Sequence, residues 1–122
     1  MNSWIKDSNF FKWNKVVTDI VVQTNAILGG KNLVQSEPYP NTHWKWKISV
    51  DNRIIARLRR RLKANILRVN INQRYTKKAN ISVQRSGFSK NGDWGKPVDY
   101  FDVDISNPNS IYNIAKLLVA VV

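Results

Sequence analysis

The segment HWKWKISVDNRIIARLRRRLK, residues 43–63, decides how the rest of the chain is read, because its second half fits two kinds of secondary structure. Its first half is plain. Trp44, Trp46, Ile48 and Val50 alternate with His43, Lys45, Lys47 and Ser49, the period-two pattern of a half-buried strand. The arginine-rich half is ambiguous. Ile54, Ala56, Leu58, Leu62 and Ala64 alternate as in a strand, but that reading puts Arg60 among the apolar positions and Ile55 among the charges. At about 100° per residue, Ile54, Ile55, Leu58, Leu62 and Ile66 instead fall within an arc of about 120°, leaving Arg57, Arg59, Arg60, Arg61 and Lys63 on the remaining surface. Arg, Leu, Lys and Ala favour helices, and Asp51 or Asn52 stands where an N-cap belongs. The geometry therefore favours a helix over 53–64, ended by Asn65.

Upstream, Phe10, Trp13, Val17, Ile20, Thr24 and Ile27 recur at helical spacing after Ser8, and Gly29-Gly30 supplies a stop. This predicts a helix over about 9–28, followed by a Gly- and Pro-containing loop over 29–42. Downstream, Leu67, Val69 and Ile71 share one strand face, TKK turns the chain, and Ile81 and Val83 face alike in a partner strand. A Gly-rich connection over 86–97 leads to a last strand with Phe101, Val103 and Ile105 on one side and Tyr100, Asp102 and Asp104 on the other. Asn107 and Pro108 then open a C-terminal helix with Ile111, Ile114, Leu118 and Val121 on its apolar stripe. The expectation is a single α+β domain over 1–122, a mostly antiparallel sheet with packed helices in the order α-β-α-β-β-β-α. A length of 122 residues with 43% hydrophobic content suits one core.

The formal net charge is +12. Between His43 and Lys78 twelve basic residues face one acid: Lys45, Lys47, Arg53, Arg57, Arg59, Arg60, Arg61, Lys63, Arg68, Arg74, Lys77 and Lys78 against Asp51. A solvated helix face interleaves acids with bases; here the acids are missing, which points to an anionic partner. The expected partner is nucleic acid, held mainly through phosphates by a basic helix and the adjoining sheet, with single-stranded DNA or RNA preferred because aromatic residues accompany the cations. Trp94, flanked by Lys90 and Lys96 in the Gly-rich connection, is the best candidate for base stacking, whereas Trp44 and Trp46 share the apolar face of their strand and read as core. A membrane surface is disfavoured, since the basic segment carries Ile and Leu but no aromatic anchors.

Other chemistries have weaker anchors. The chain has no Cys and one His, which excludes disulfides and thiolate zinc sites, and no cofactor is expected. Asp99, Asp102 and Asp104 offer carboxylates without the further ligands a catalytic Mg²⁺ requires; the plainer reading is that they neutralise neighbouring cations. His43 beside Lys45, Arg68 and Tyr75 is the only general-base candidate, for a small metal-independent ribonuclease. A structural component of a large nucleoprotein or virion assembly is the other alternative to a non-enzymatic binding protein. Met1 to Lys6 lacks the pattern of a secretion signal, so a cytoplasmic or other intracellular location is expected. Leu117, Val119, Ala120 and Val122 extend the apolar surface of the last helix beyond one stripe, which predicts a homo-oligomer or a partner contact through residues 111–122.

Overall fold

The computed structural model describes residues 8–30, 33–39, 45–61, 65–81, 85–88 and 97–122. Helix α1 (Ser8–Ile27) is followed by strands β1 (Val34–Pro38), β2 (Lys45–Val50), β3 (Arg53–Arg60) and β4 (Ile66–Asn72), the short helix α2 (Gln73–Lys78), strands β5 (Arg85–Phe88) and β6 (Pro97–Asp104), and helix α3 (Ser110–Val121). The six strands form one sheet in the order β1-β2-β3-β4-β6-β5, with every neighbouring pair antiparallel. The α+β class and the antiparallel sheet agree with the sequence; the element order is instead α-β-β-β-β-α-β-β-α.

The main correction concerns residues 53–60, which form a central strand and not a helix. Asp51 and Asn52 do not cap a helix. They have positive φ values of 52° and 63° and make the two-residue turn between β2 and β3, with Val50 paired to Arg53. Both central residues of a type I′ hairpin turn need left-handed φ, and Asp and Asn tolerate it better than most residues. Asn52→Val should therefore cost about 1–2 kcal/mol in urea denaturation, with Asn52→Gly tolerated; equal stability of the Val variant would contradict this turn.

Both objections to a strand have a structural answer. The register slips at Ile48/Ser49, so that Ile48 pairs with Ala56 and Ser49 with Ile54, leaving Ile55 as the extra residue of a bulge. The bulge inverts the alternation, and Ile55 joins the core with Ala56 and Leu58. Arg60 does lie on the apolar side, opposite Leu67 and almost fully buried. A triple neutralisation of Arg57, Arg60 and Arg61 cannot be a pure surface change, because Arg57 is also buried; only Arg61 of the three is exposed.

The segment expected to be a loop over 29–42 contains β1, which pairs with β2 from Val34↔Val50 to Pro38↔Trp46. Asn25 of α1 fastens this strand: its Nδ2 donates to the Val34 carbonyl at 3.1 Å, and its Oδ1 accepts from the Val34 N–H at 2.9 Å. The TKK turn is one end of α2, whose first turn is capped by Asn72 Oδ1 accepting from the Arg74 N–H. This helix separates β4 from the segment expected to pair with it. β4 pairs with β6, and β5 lies outside β6.

The core lies on one face of the sheet. Trp46, Ile48, Val50, Ala56, Leu58, Leu67, Val69 and Ile71 meet Phe10, Trp13, Val17 and Ile20 of α1 and Ile114, Leu118 and Val121 of α3. Trp46 is fully buried, stacks on Phe10 with centroids 6.1 Å apart, and donates its Nε1–H to Asn14 Oδ1 at 3.0 Å. The α1 stripe is as expected through Thr24, but Ile27 at the helix end is exposed. α1 stops at Gly29 and Gly30, both at positive φ, with the Gly30 N–H bonded back to the Asn25 carbonyl. α3 starts two residues beyond the expected cap, since Asn107 closes a turn on the Asn109 N–H instead. On α3 Leu117 packs against the core, while Tyr112 and Val122 remain exposed. No helix among the described residues is long and apolar enough to cross a membrane.

Candidate functional site

Because residues paired directly across an antiparallel ladder share a face, the register defines what the sheet presents opposite its core. One row runs Lys45, Arg59, Arg68 and Asp102 across β2, β3, β4 and β6. The next runs Glu37, Lys47, Arg57, Asn70 and Tyr100 from β1 to β6. The side chains that α1 and α3 cover are those of the other face. Lys45, Lys47, Arg57, Arg59 and Arg68 thus share the face that no helix among the described residues covers, the uncovered face; they come from strands and not from a basic helix, and Arg57 is buried within it.

Their surroundings differ. Lys47 pairs with Glu37 at 3.4 Å. Arg68 makes a two-pronged ion pair with Asp102, Nε to Oδ1 at 2.8 Å and Nη2 to Oδ2 at 3.0 Å. The hydrogen bonding of the Arg68 guanidinium to the Asp102 carboxylate is the main reason Arg68 is held above its ordinary pKa, with burial opposing it. Arg57 Nε donates to the Tyr39 hydroxyl, and the Tyr39 ring lies under Lys45 Nζ at 4.9 Å and the Arg57 guanidinium at 5.9 Å. Arg59 is exposed between Lys45 and Arg68. Like charges directly opposite on neighbouring strands destabilise a sheet, and this face holds three such pairs: Lys45↔Arg59, Arg59↔Arg68 and Lys47↔Arg57.

A second basic group lies around α2. The Arg53 and Arg74 guanidinium groups each sit 5.5 Å from the centre of the Tyr75 ring, with exposed Lys77 and Lys78 in the last turn of the helix. Arg60 belongs to neither group, being buried on the core side. Lys63, Lys90, Trp94 and Lys96, and the general-base candidate His43, lie outside the described residues.

The three carboxylates of β6 have separate tasks. Asp99 is buried on the core side and accepts from Thr76 Oγ1 and Gln73 Nε2. Asp102 holds Arg68. Asp104 accepts from the Ser106 hydroxyl and N–H, which lower its pKa. Among the described residues no group of three His, Cys, Asp or Glu side chains is placed to hold a metal ion. Tyr39 and Asn70 were not singled out in the sequence; alternation with Leu67, Val69 and Ile71 does place Asn70 beside Arg68, whereas Tyr39 follows a strand hidden in a Pro-containing segment.

Comparison with models of protein families, with curated proteins and with solved structures finds no match to this chain.

Proposed function

We propose that the chain binds single-stranded DNA or RNA by its phosphates on the uncovered face of the sheet. The observation that supports this most is the unbroken row Lys45–Arg59–Arg68, three cations in direct register with one carboxylate, Asp102, at its end. Neighbouring strands lie about 4.8 Å apart, so the row concentrates positive charge along a line crossing the strands, and a polyanion laid along it releases its condensed counterions. Arg59 at the centre of the row is the main phosphate contact, with Lys45 and Lys47 beside it. Tyr39 and Tyr100 on the same face favour a strand with accessible bases over a duplex. The group around Tyr75 is a separate basic patch on the core side of the sheet, where Tyr75 packs against the core and α2 is bonded to Asp99.

Anisotropy of a labelled 20-nucleotide oligomer across 50–200 mM salt tests the reading. Contacts from about four cations imply a slope of about −3 in log K against log salt, roughly a 50-fold loss over that range, and Arg59→Ala should reduce the slope by about 0.7. An affinity that stays constant across the salt series would remove the proposal.

A further inference from the structure

Arg68 raises a question that phosphate binding leaves open. Its charge is already met by a carboxylate, so it has less to offer a phosphate than the exposed Arg59, yet it sits in the same row on the recognition face. What it offers is a flat surface. Two parallel hydrogen bonds to Asp102 fix the guanidinium plane, and the group lies over the Tyr100 ring with its central carbon 4.5 Å from the ring centre. The arrangement follows from the register: Arg68 and Asp102 are directly opposite on β4 and β6, and Tyr100 is two residues along β6, opposite Asn70. Both ends of the pair remain partly open, with side-chain exposures of 21% for Arg68 and 26% for Asp102.

We infer that Arg68, held by Asp102 and backed by Tyr100, is a stacking platform for one base of a single-stranded nucleic acid. This rests on the phosphate-binding reading above and gives that site a second component. A guanidinium plane is an accepted stacking surface for unpaired bases, and it performs this task best when its orientation is fixed before the ligand arrives. Arg59 stands one strand spacing away in the same row, where it can hold a phosphate of the strand whose base rests on Arg68. A paired base has both faces covered by its neighbours in the stack, so the platform discriminates against duplex. Asn70, directly opposite Tyr100, supplies an amide beside the platform that can donate to or accept from a base edge.

The test compares two ligands of equal length and charge, an oligothymidylate and the corresponding abasic oligodeoxynucleotide, against the full chain. The wild-type protein should bind the base-bearing strand about tenfold more tightly. Arg68→Lys keeps the charge and loses the plane; it should bring that ratio close to one while abasic binding changes by less than about twofold. Asp102→Asn, which keeps the shape of the partner but not its charge, should lower the ratio part of the way, and it serves where the lysine variant folds poorly. A wild-type ratio of one, or a ratio that persists in Arg68→Lys, overturns the platform while leaving phosphate binding standing. Absence of salt-dependent binding to either ligand overturns both readings together.

Discussion

Trp46→Ala is expected to lower the unfolding free energy by about 3–5 kcal/mol, a large part of the roughly 5–15 kcal/mol that holds a small domain together. Trp46 lies in β2 with Pro38 and Leu58 opposite on the flanking strands, and it is wholly removed from solvent. Truncation removes the stack on Phe10 and leaves Asn14 Oδ1 without the indole donor. The loss has two separable parts. Asn14→Ala removes only the hydrogen bond and should cost about 1 kcal/mol, whereas Trp46→Phe removes the bond and part of the volume and should fall between the two. Urea denaturation followed by circular dichroism gives all three values; a loss below about 1 kcal/mol for Trp46→Ala would show that the α1–sheet contact is not organised around this residue.

Reversing two charges of the cationic row, Lys45→Glu with Arg59→Glu, should reduce affinity for a single-stranded oligomer by about two orders of magnitude at 50 mM salt. The two positions lie directly opposite each other, so one like-charge pair replaces another, and the Arg59↔Arg68 repulsion becomes an attraction that offsets loss of the Lys45–Tyr39 contact; stability should therefore change little. Arg59→Thr separates the roles more sharply. It relieves repulsion with both Lys45 and Arg68 and places a β-branched residue in a strand, so it should stabilise the fold by about 0.2–1 kcal/mol while weakening binding. Stability and affinity moving in opposite directions is the outcome a functional row requires. Unchanged oligomer binding in the double reversal would remove the uncovered face from the interface.

The parts of the fold that could be read from the sequence are those where one element sets its own pattern. In α1 the spacing of Phe10, Trp13, Val17 and Ile20 specifies a buried stripe, and in β2 the alternation of Trp46, Ile48 and Val50 specifies a core face. The arginine segment misled because its pattern is interrupted: the bulge at Ile55 breaks the period of two, and the broken pattern fits a helical arc. Asp51-Asn52 carried the decisive signal, but the same residue types begin helices and make I′ turns. Five residues of β1 and six of α2 are too few to show a period. At the site, Lys45, Lys47 and Arg68 were legible as outward strand residues. The burial of Arg57 was not, because it depends on the central position of β3 and on Tyr39 arriving from beyond β1.

The amide of Asn25 also bears on what the sheet can do at its border. An edge strand is a template for the next chain, and a protein rich in β-structure must stop its copies from extending one another. In β1 the outward N–H and C=O of Val34 are both taken by Asn25, and Pro38, on the same alternating set, has no N–H to give. Ser36 lies between two blocked positions, so an incoming strand finds too little of a ladder to register against. The sheet is closed to lateral growth on this side by a helix side chain and a ring, without spending any of its positive charge on the task.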